Sequence, residues 1–178
     1  MSSLVTFGQC TIKIIDALNE QIGRGTSWLT LAIVMVSVIV VILRYCFNIG
    51  SIATQESISY MHALIFMLGA AYTLKHNAHV RVDIFYHRFN EKTQGWVDLL
   101  GTLFLLIPVC LFIIISSWEY VADSWAIQES SRNSGGLPAV YLLKSTIIIM
   151  AALLLLQAIS LAIKSLFSAI GIPLNTAS

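Results

Sequence analysis

The chain has 178 residues, a formal net charge of +1 and a mean hydropathy of +0.83. Hydrophobic residues make up 57% of it and Asp, Glu, Lys and Arg only 11%, against about 25% charged in ordinary soluble domains, which argues against a soluble enzyme. The near-neutral balance offers no basic field for nucleic acid, and Cys10, Cys46 and Cys110 show no CxxC spacing of the kind zinc sites use.

The charges are also unevenly placed. Between Arg24 and Arg44 lie 19 uncharged residues, between Glu56 and Lys75 18, between Asp98 and Glu119 20, and between Lys144 and Lys164 19. A run of roughly 20 residues, rising about 1.5 Å each as a helix, spans the hydrocarbon core of a bilayer. Four such runs predict four transmembrane helices in one membrane domain, 1–178.

In chain order, residues 1–23 read as a retained amphipathic arm helix, because they lack the continuous apolar core of a cleavable signal. Leu4, Phe7, Thr11, Ile14, Ile15, Leu18 and Ile22 gather on one side of a helical wheel, with Gln9, Lys13, Asp16 and Glu20 opposite. The competing reading is a helix packed on the chain's own bundle; placement at the interface, in the membrane plane, is the expectation. The first span is expected over 26–47, with Trp28 at one interface and Arg44 and Tyr45 at the other. After the turn residues of 48–55 the second span covers 56–75, where Ser59, Ala63, Gly69, Ala70 and Ala71 suit close helix approach in lipid.

Residues 75–92 form the densely charged stretch, and Val82, Phe85, Tyr86 and Phe89 at helical spacing predict a short interfacial helix over 78–92. The third span, 94–118, carries Pro108 and is expected to kink there. An outward loop over 119–138 contains the turn signal Asn133-Ser-Gly-Gly, and the fourth span, 138–167, has Pro138 in its first turn. The fold class is therefore an all-α membrane protein: four transmembrane helices, an N-terminal interfacial helix, and a short interfacial helix between the second and third spans.

Orientation follows from the cations. Lys13, Arg24, Lys75, Arg81, Arg88, Lys92 and Lys164 fall on one side, seven against Arg44, Arg132 and Lys144 on the other. The positive-inside rule puts both termini and the 75–92 segment in the cytoplasm, leaving Glu119, Asp123 and Glu129 on an acidic outer loop.

No span carries Asp, Glu, Lys or Arg at mid-depth, where a coupled transporter usually keeps a paired ionisable group. His62 is the titratable ring inside a span and reads as a packing residue. Gln157 is the strongly polar amide of the fourth span, expected to bond a neighbouring helix, beside a close-approach face at Ala158 and Ala162. His76, His79, Asp83 and His87 could share a metal on a helical segment, but competing cations and a missing glutamate base favour an Arg81–Asp83 pair and contacts with lipid phosphates. Bis-histidine haem ligation fails on ligand supply, since helices 1, 3 and 4 have no histidine. No nucleotide-binding or triad pattern appears, so no catalytic, cofactor or metal residue is assigned.

The stretch Leu68-Gly-Ala-Ala-Tyr-Thr-Leu-Lys-His-Asn-Ala-His-Val-Arg-Val-Asp-Ile-Phe85 resembles the signature of the small membrane subunit of TRAP (tripartite ATP-independent periplasmic) transporters. Arg44-Tyr-Cys-Phe-Asn48, Glu56, and Gly135-Gly-Leu-Pro138 with Lys144 match as well. The resemblance implies a four-helix, non-catalytic inner-membrane protein. Its partners would be a large membrane subunit, which holds the sodium and substrate sites, and a periplasmic binding protein, which delivers carboxylated solutes such as C4-dicarboxylates or sialic acid. The partner or lipid interface candidates are Arg44, Glu56, Lys75, His79, Arg81, Asp83, Arg88, Glu119, Asp123, Glu129, Lys144 and Gln157. The alternative is a four-helix membrane metal or redox protein using the His76–His87 segment.

Overall fold

Each helix begins and ends where a particular side chain or backbone turn allows it. In a computed structural model, which describes residues 2–76, 78 and 89–171, the elements are α1 (Ser2–Phe47), α2 (Ile52–Lys75), α3 (Glu91–Gly101), α4 (Ile107–Ala126) and α5 (Val140–Ile170). A π turn, Thr102–Leu106, joins α3 to α4, so that Lys92–Ala126 is one span, and four helices are long and apolar enough to cross a membrane.

α1 stops at Asn48, whose φ of 54° is the left-handed conformation that Asn tolerates better than most residues. The Ile49 N–H then closes the end by donating to the Leu43 carbonyl at 3.0 Å. Ser51 caps α2, its Oγ accepting from the Thr54 N–H, which carries the second helix four residues earlier than the charge gap predicts. Asn90 caps α3 in the same way, its Oδ1 accepting from Thr93 N–H at 2.9 Å. Gly171, at φ 78°, terminates α5.

Pro108 is accommodated one turn ahead of itself. Proline has no N–H and crowds the carbonyl four residues back; here the ladder widens before it, and Ile107 N–H donates to Thr102 O, five residues back. The expected kink thus takes the form of a π turn. The short interfacial helix expected over 78–92 falls largely on residues outside the described ones.

α5 is the centre of the bundle and touches every other helix. Its buried face holds Thr146, Ala151, Ala158, Ser160, Ser165 and Ala169, small residues that let backbones approach. It approaches α3 closely, where a Cβ on Gly95 would stand 2.7 Å from the Ala169 backbone nitrogen and 2.9 Å from the Ser165 carbonyl oxygen. The outer faces carry large apolar side chains such as Phe104, Phe112 and Ile115, as a hydrocarbon solvent allows.

The N-terminal segment differs from the expectation in two ways. The arm and the first span are one uninterrupted helix of 46 residues, about 70 Å long at 1.5 Å per residue. Gly23-Arg24-Gly25 does not break it: Thr26 and Ser27 hydroxyls bond back to the Gly23 and Arg24 carbonyls, and Gly23 seats against the Tyr72 ring. The arm also packs on the chain's own bundle, through a face turned by about a quarter turn from the expected apolar stripe. Gly8, Ile12, Ile15 and Asn19 are buried, whereas Phe7, Ile14 and Leu18 are exposed. The cause is that Asp16 and Glu20, assigned to the outward polar side, find cations on α5 and α2.

Gly95→Leu should force α3 and α5 apart and cost about 1–3 kcal/mol of stability. Gly25→Leu, where an added Cβ meets nothing within 4 Å, should leave the thermal midpoint in detergent close to that of the parent, and the two midpoints compared directly check the contact.

Candidate functional site: polar belts at the two helix ends

At one end of the bundle a single turn of α1 presents Asp16, Asn19 and Glu20 to two neighbours at once, as their i, i+3 and i+4 spacing allows. Asp16 faces α5: Lys164 Nζ donates to its Oδ2 at 2.6 Å, and Ser160 Oγ and Gln157 Nε2 donate to its Oδ1 at 2.9 and 3.1 Å. Asn19 Nδ2 donates to Gln157 Oε1 at 2.6 Å, with both residues almost completely buried. Glu20 faces α2 and takes Lys75 Nζ at 2.6 Å, His76 Nε2 at 2.9 Å and Arg24 Nε of its own helix at 2.8 Å.

At the other end the 129–138 loop folds over Glu56. Its carboxylate accepts from Ser131 Oγ at 2.5 Å, Asn133 Nδ2 at 2.9 Å and the Leu137 N–H at 2.7 Å. Gly136 makes this possible, since a Cβ there would lie 2.4 Å from Ser131 Oγ and 2.7 Å from the carboxylate. Beside it Glu129 pairs with Lys144 and accepts from Ser124 Oγ at 2.7 Å, and Lys144 Nζ also sits 3.9 Å above the Tyr120 ring. The Lys144 ammonium and then the Ser124 hydroxyl hold Glu129 below its ordinary value of 4.5. Trp125 Nε1 donates to Ser145 Oγ at 2.8 Å, tying the end of α4 to the start of α5. A cleft of about 370 Å³ remains between Tyr60, Tyr120, Arg132 and Leu143. Lys144 and Lys164, one in each belt, lie about 30 Å apart along α5, the thickness of a hydrocarbon core.

The candidate residues therefore divide. Glu56, Lys75, Glu129, Lys144 and Gln157 are engaged inside the chain, and Gln157 meets α1 as a bond to a neighbouring helix requires. Arg44, Glu119 and Asp123 stay exposed. His79, Arg81, Asp83 and Arg88 lie outside the described residues, as does His87. His76 is bonded to Glu20, and among the described residues no group of three or more His, Cys, Asp or Glu stands close enough to hold a metal. Sequence reasoning missed the Asp16–Lys164 and Glu20–Lys75 pairs, although the only cations available at that depth on α2 and α5 were the signal.

The family model for the DctQ component of tripartite ATP-independent periplasmic transporters matches residues 33–168. The chain belongs to this family. That stretch runs from the last third of α1 to the last turn of α5 and so includes the loop over Glu56 and the outer belt. A Haemophilus influenzae protein described as a TRAP transporter small permease protein is 32% identical over 78 residues, which cover 44% of this chain and 48% of that relative. The match thus spans about half the length of each. No solved structure matches the chain. It is a multi-pass membrane protein and a small component of a transporter, as the resemblance implied.

Two measurements probe the belts. Lys164→Leu leaves Asp16, itself largely withdrawn from solvent, without its cation, and should cost about 1–3 kcal/mol, whereas Asp16→Leu with Lys164→Leu should cost less than the single change. Thermal midpoints of the three chains in the same detergent decide it. A depressed carboxylate contributes stability above its ordinary value and loses it as pH falls through its folded value. The Glu129 contribution should therefore hold from pH 7 down to about pH 5 and be lost as pH falls through 4.5 and below, and Glu129→Gln should make the drop of the midpoint in that acid range shallower.

Proposed function

We propose that this chain is a non-catalytic scaffold for the large membrane subunit of a sodium-coupled secondary transporter that imports carboxylated solutes, C4-dicarboxylates or sialic acid being the classes the family resemblance implies. It sits in the bacterial inner membrane with both termini cytoplasmic, the side on which seven of its ten Lys and Arg residues fall. Membrane phospholipids meet the cations of that side.

The observation that carries this reading is where charge goes. The acidic and basic groups of the belts are consumed in bonds that hold helices together, and the sequence between the belts carries no Asp, Glu, Lys or Arg. A chain built this way holds a shape; the ion and substrate sites belong to another polypeptide.

The outer surface has a narrower docking patch than the 119–138 loop as a whole. Glu129 is neutralised by Lys144, whereas Glu119 and Asp123, one turn apart on α4, are exposed with no partner among the described residues. These two would meet basic residues of the periplasmic binding protein and act on encounter rate more than on final affinity.

In proteoliposomes, solute uptake should require this chain, the large subunit and the binding protein together. Glu119→Lys with Asp123→Lys should slow binding-protein association and weaken its salt dependence. Uptake by this chain alone would sink the scaffold reading, and unchanged association kinetics in the double variant would remove the docking role.

A further inference from the structure

One exposed face of the bundle is not apolar. Between Ile52 and Phe66 the exposed residues of α2 are Ile52, Gln55, Ser59, His62 and Phe66, a single stripe at alternating three- and four-residue steps. Glu56 marks the outer belt on this helix. His62 is six residues further along, which places it about 9 Å inward of that level, within hydrocarbon depth. Neither His62 nor Ser59 has a partner among the described residues. An imidazole pointing out of the bundle at that depth strands its ring nitrogens if acyl chains surround it, and intramembrane polar groups of this kind normally face protein.

Below Phe66 the same face opens into a groove of about 510 Å³ between α1 and α2, lined among others by Thr26, Thr30, Gly69 and Thr73. Gly69 lies on the floor of this groove. Nothing lies within 4 Å of the place of a Cβ there, as is also the case at Gly25 and Gly101, whereas Gly8, Gly23 and Gly95 have neighbours pressed against theirs. A glycine inside a helix is unfavourable by roughly 0.5–1 kcal/mol relative to alanine, and no contact within this chain gives anything in return. By contrast the exposed residues from Leu103 to Ile115, across the π turn and the first half of α4, are all apolar, Phe104, Phe112 and Ile115 among them.

We propose that the α2 stripe from Ser59 to Thr73 is the seat of a transmembrane helix of the large membrane subunit, which hydrogen-bonds His62 and packs closely over Gly69. The proposal rests on the reading of the chain as a small subunit, and it assigns the contact to one face. Lipid and a second copy of this chain are the other occupants the face could receive; the first leaves His62 unsatisfied, and the tripartite family supplies a heterologous membrane partner.

Phe66 and Phe112 are 71% and 70% exposed and form a matched pair. A photo-reactive benzophenone amino acid at position 66, in the co-expressed complex in its own membrane, should cross-link to the large subunit; at position 112 it should not. Cross-links from 66 to lipid alone or to a second copy, or to the large subunit only from 112, would overturn the face assignment. Failure of the unmodified chain to co-purify with the large subunit would instead overturn the small-subunit reading. His62→Leu should reduce co-purified large subunit by about five-fold, as loss of one interhelical hydrogen bond does, with His62→Gln restoring it. Gly69→Leu should weaken association without lowering the thermal midpoint of the isolated chain. Unchanged association in both His62→Leu and Gly69→Leu counts against the proposal.

Discussion

One turn of α1 ties three helices together. Asp16, Asn19 and Glu20 bind α5 and α2 simultaneously, and these bonds act beside the close seating of Gly8 on Phe167 and Gly23 on Tyr72. Lipid tails are as apolar as leucine, so helices in a membrane gain little from hiding leucine against leucine; close packing of small residues and polar contacts decide which faces meet. That is why the buried positions of α5 are mostly alanine, serine, threonine and a glutamine, with Leu153 and Phe167 the two large apolar side chains among them.

The same rule explains which parts of the structure were legible in the sequence. Span number and approximate limits follow from the spacing of charges, because a charge is costly in hydrocarbon whatever its neighbours. Helix ends shifted by a few residues where a local cap intervened, as Ser51 and Asn90 do. The face of the N-terminal helix could not be read in this way. A helical wheel assigns polar residues to the outside, which is right for a soluble helix and wrong where carboxylates have cations on adjacent helices. Phe7, Ile14 and Leu18 consequently remain outward, where an apolar surface suits the membrane interface.

The candidate residues were legible as a set, but their roles were not. Glu56 and Glu129 look like surface acids in the sequence; a loop folded over one and a lysine beside the other turn them into structural anchors. Long-range partners such as Ser131 for Glu56 are separated by 75 residues, and no local pattern encodes that pairing. His62 went the opposite way. Expected to pack inside the bundle, it faces out of it.

The π turn before Pro108 has an effect at the far side of the membrane. Gly95, Leu99 and Thr102 face α5, and carrying their three-four rhythm forward through a plain α-helix would bring Val109, Ser116, Tyr120 and Asp123 to the inside. All four are exposed instead, and Cys110, Val121 and Ser124 are buried. One additional residue in the widened turn rotates everything after it by about 100°. The phase slip lets Ser124 reach Glu129, sets Tyr120 beneath Lys144, and turns Asp123 out towards the aqueous phase. A proline at mid-membrane thus determines which acid the protein keeps for itself and which it displays.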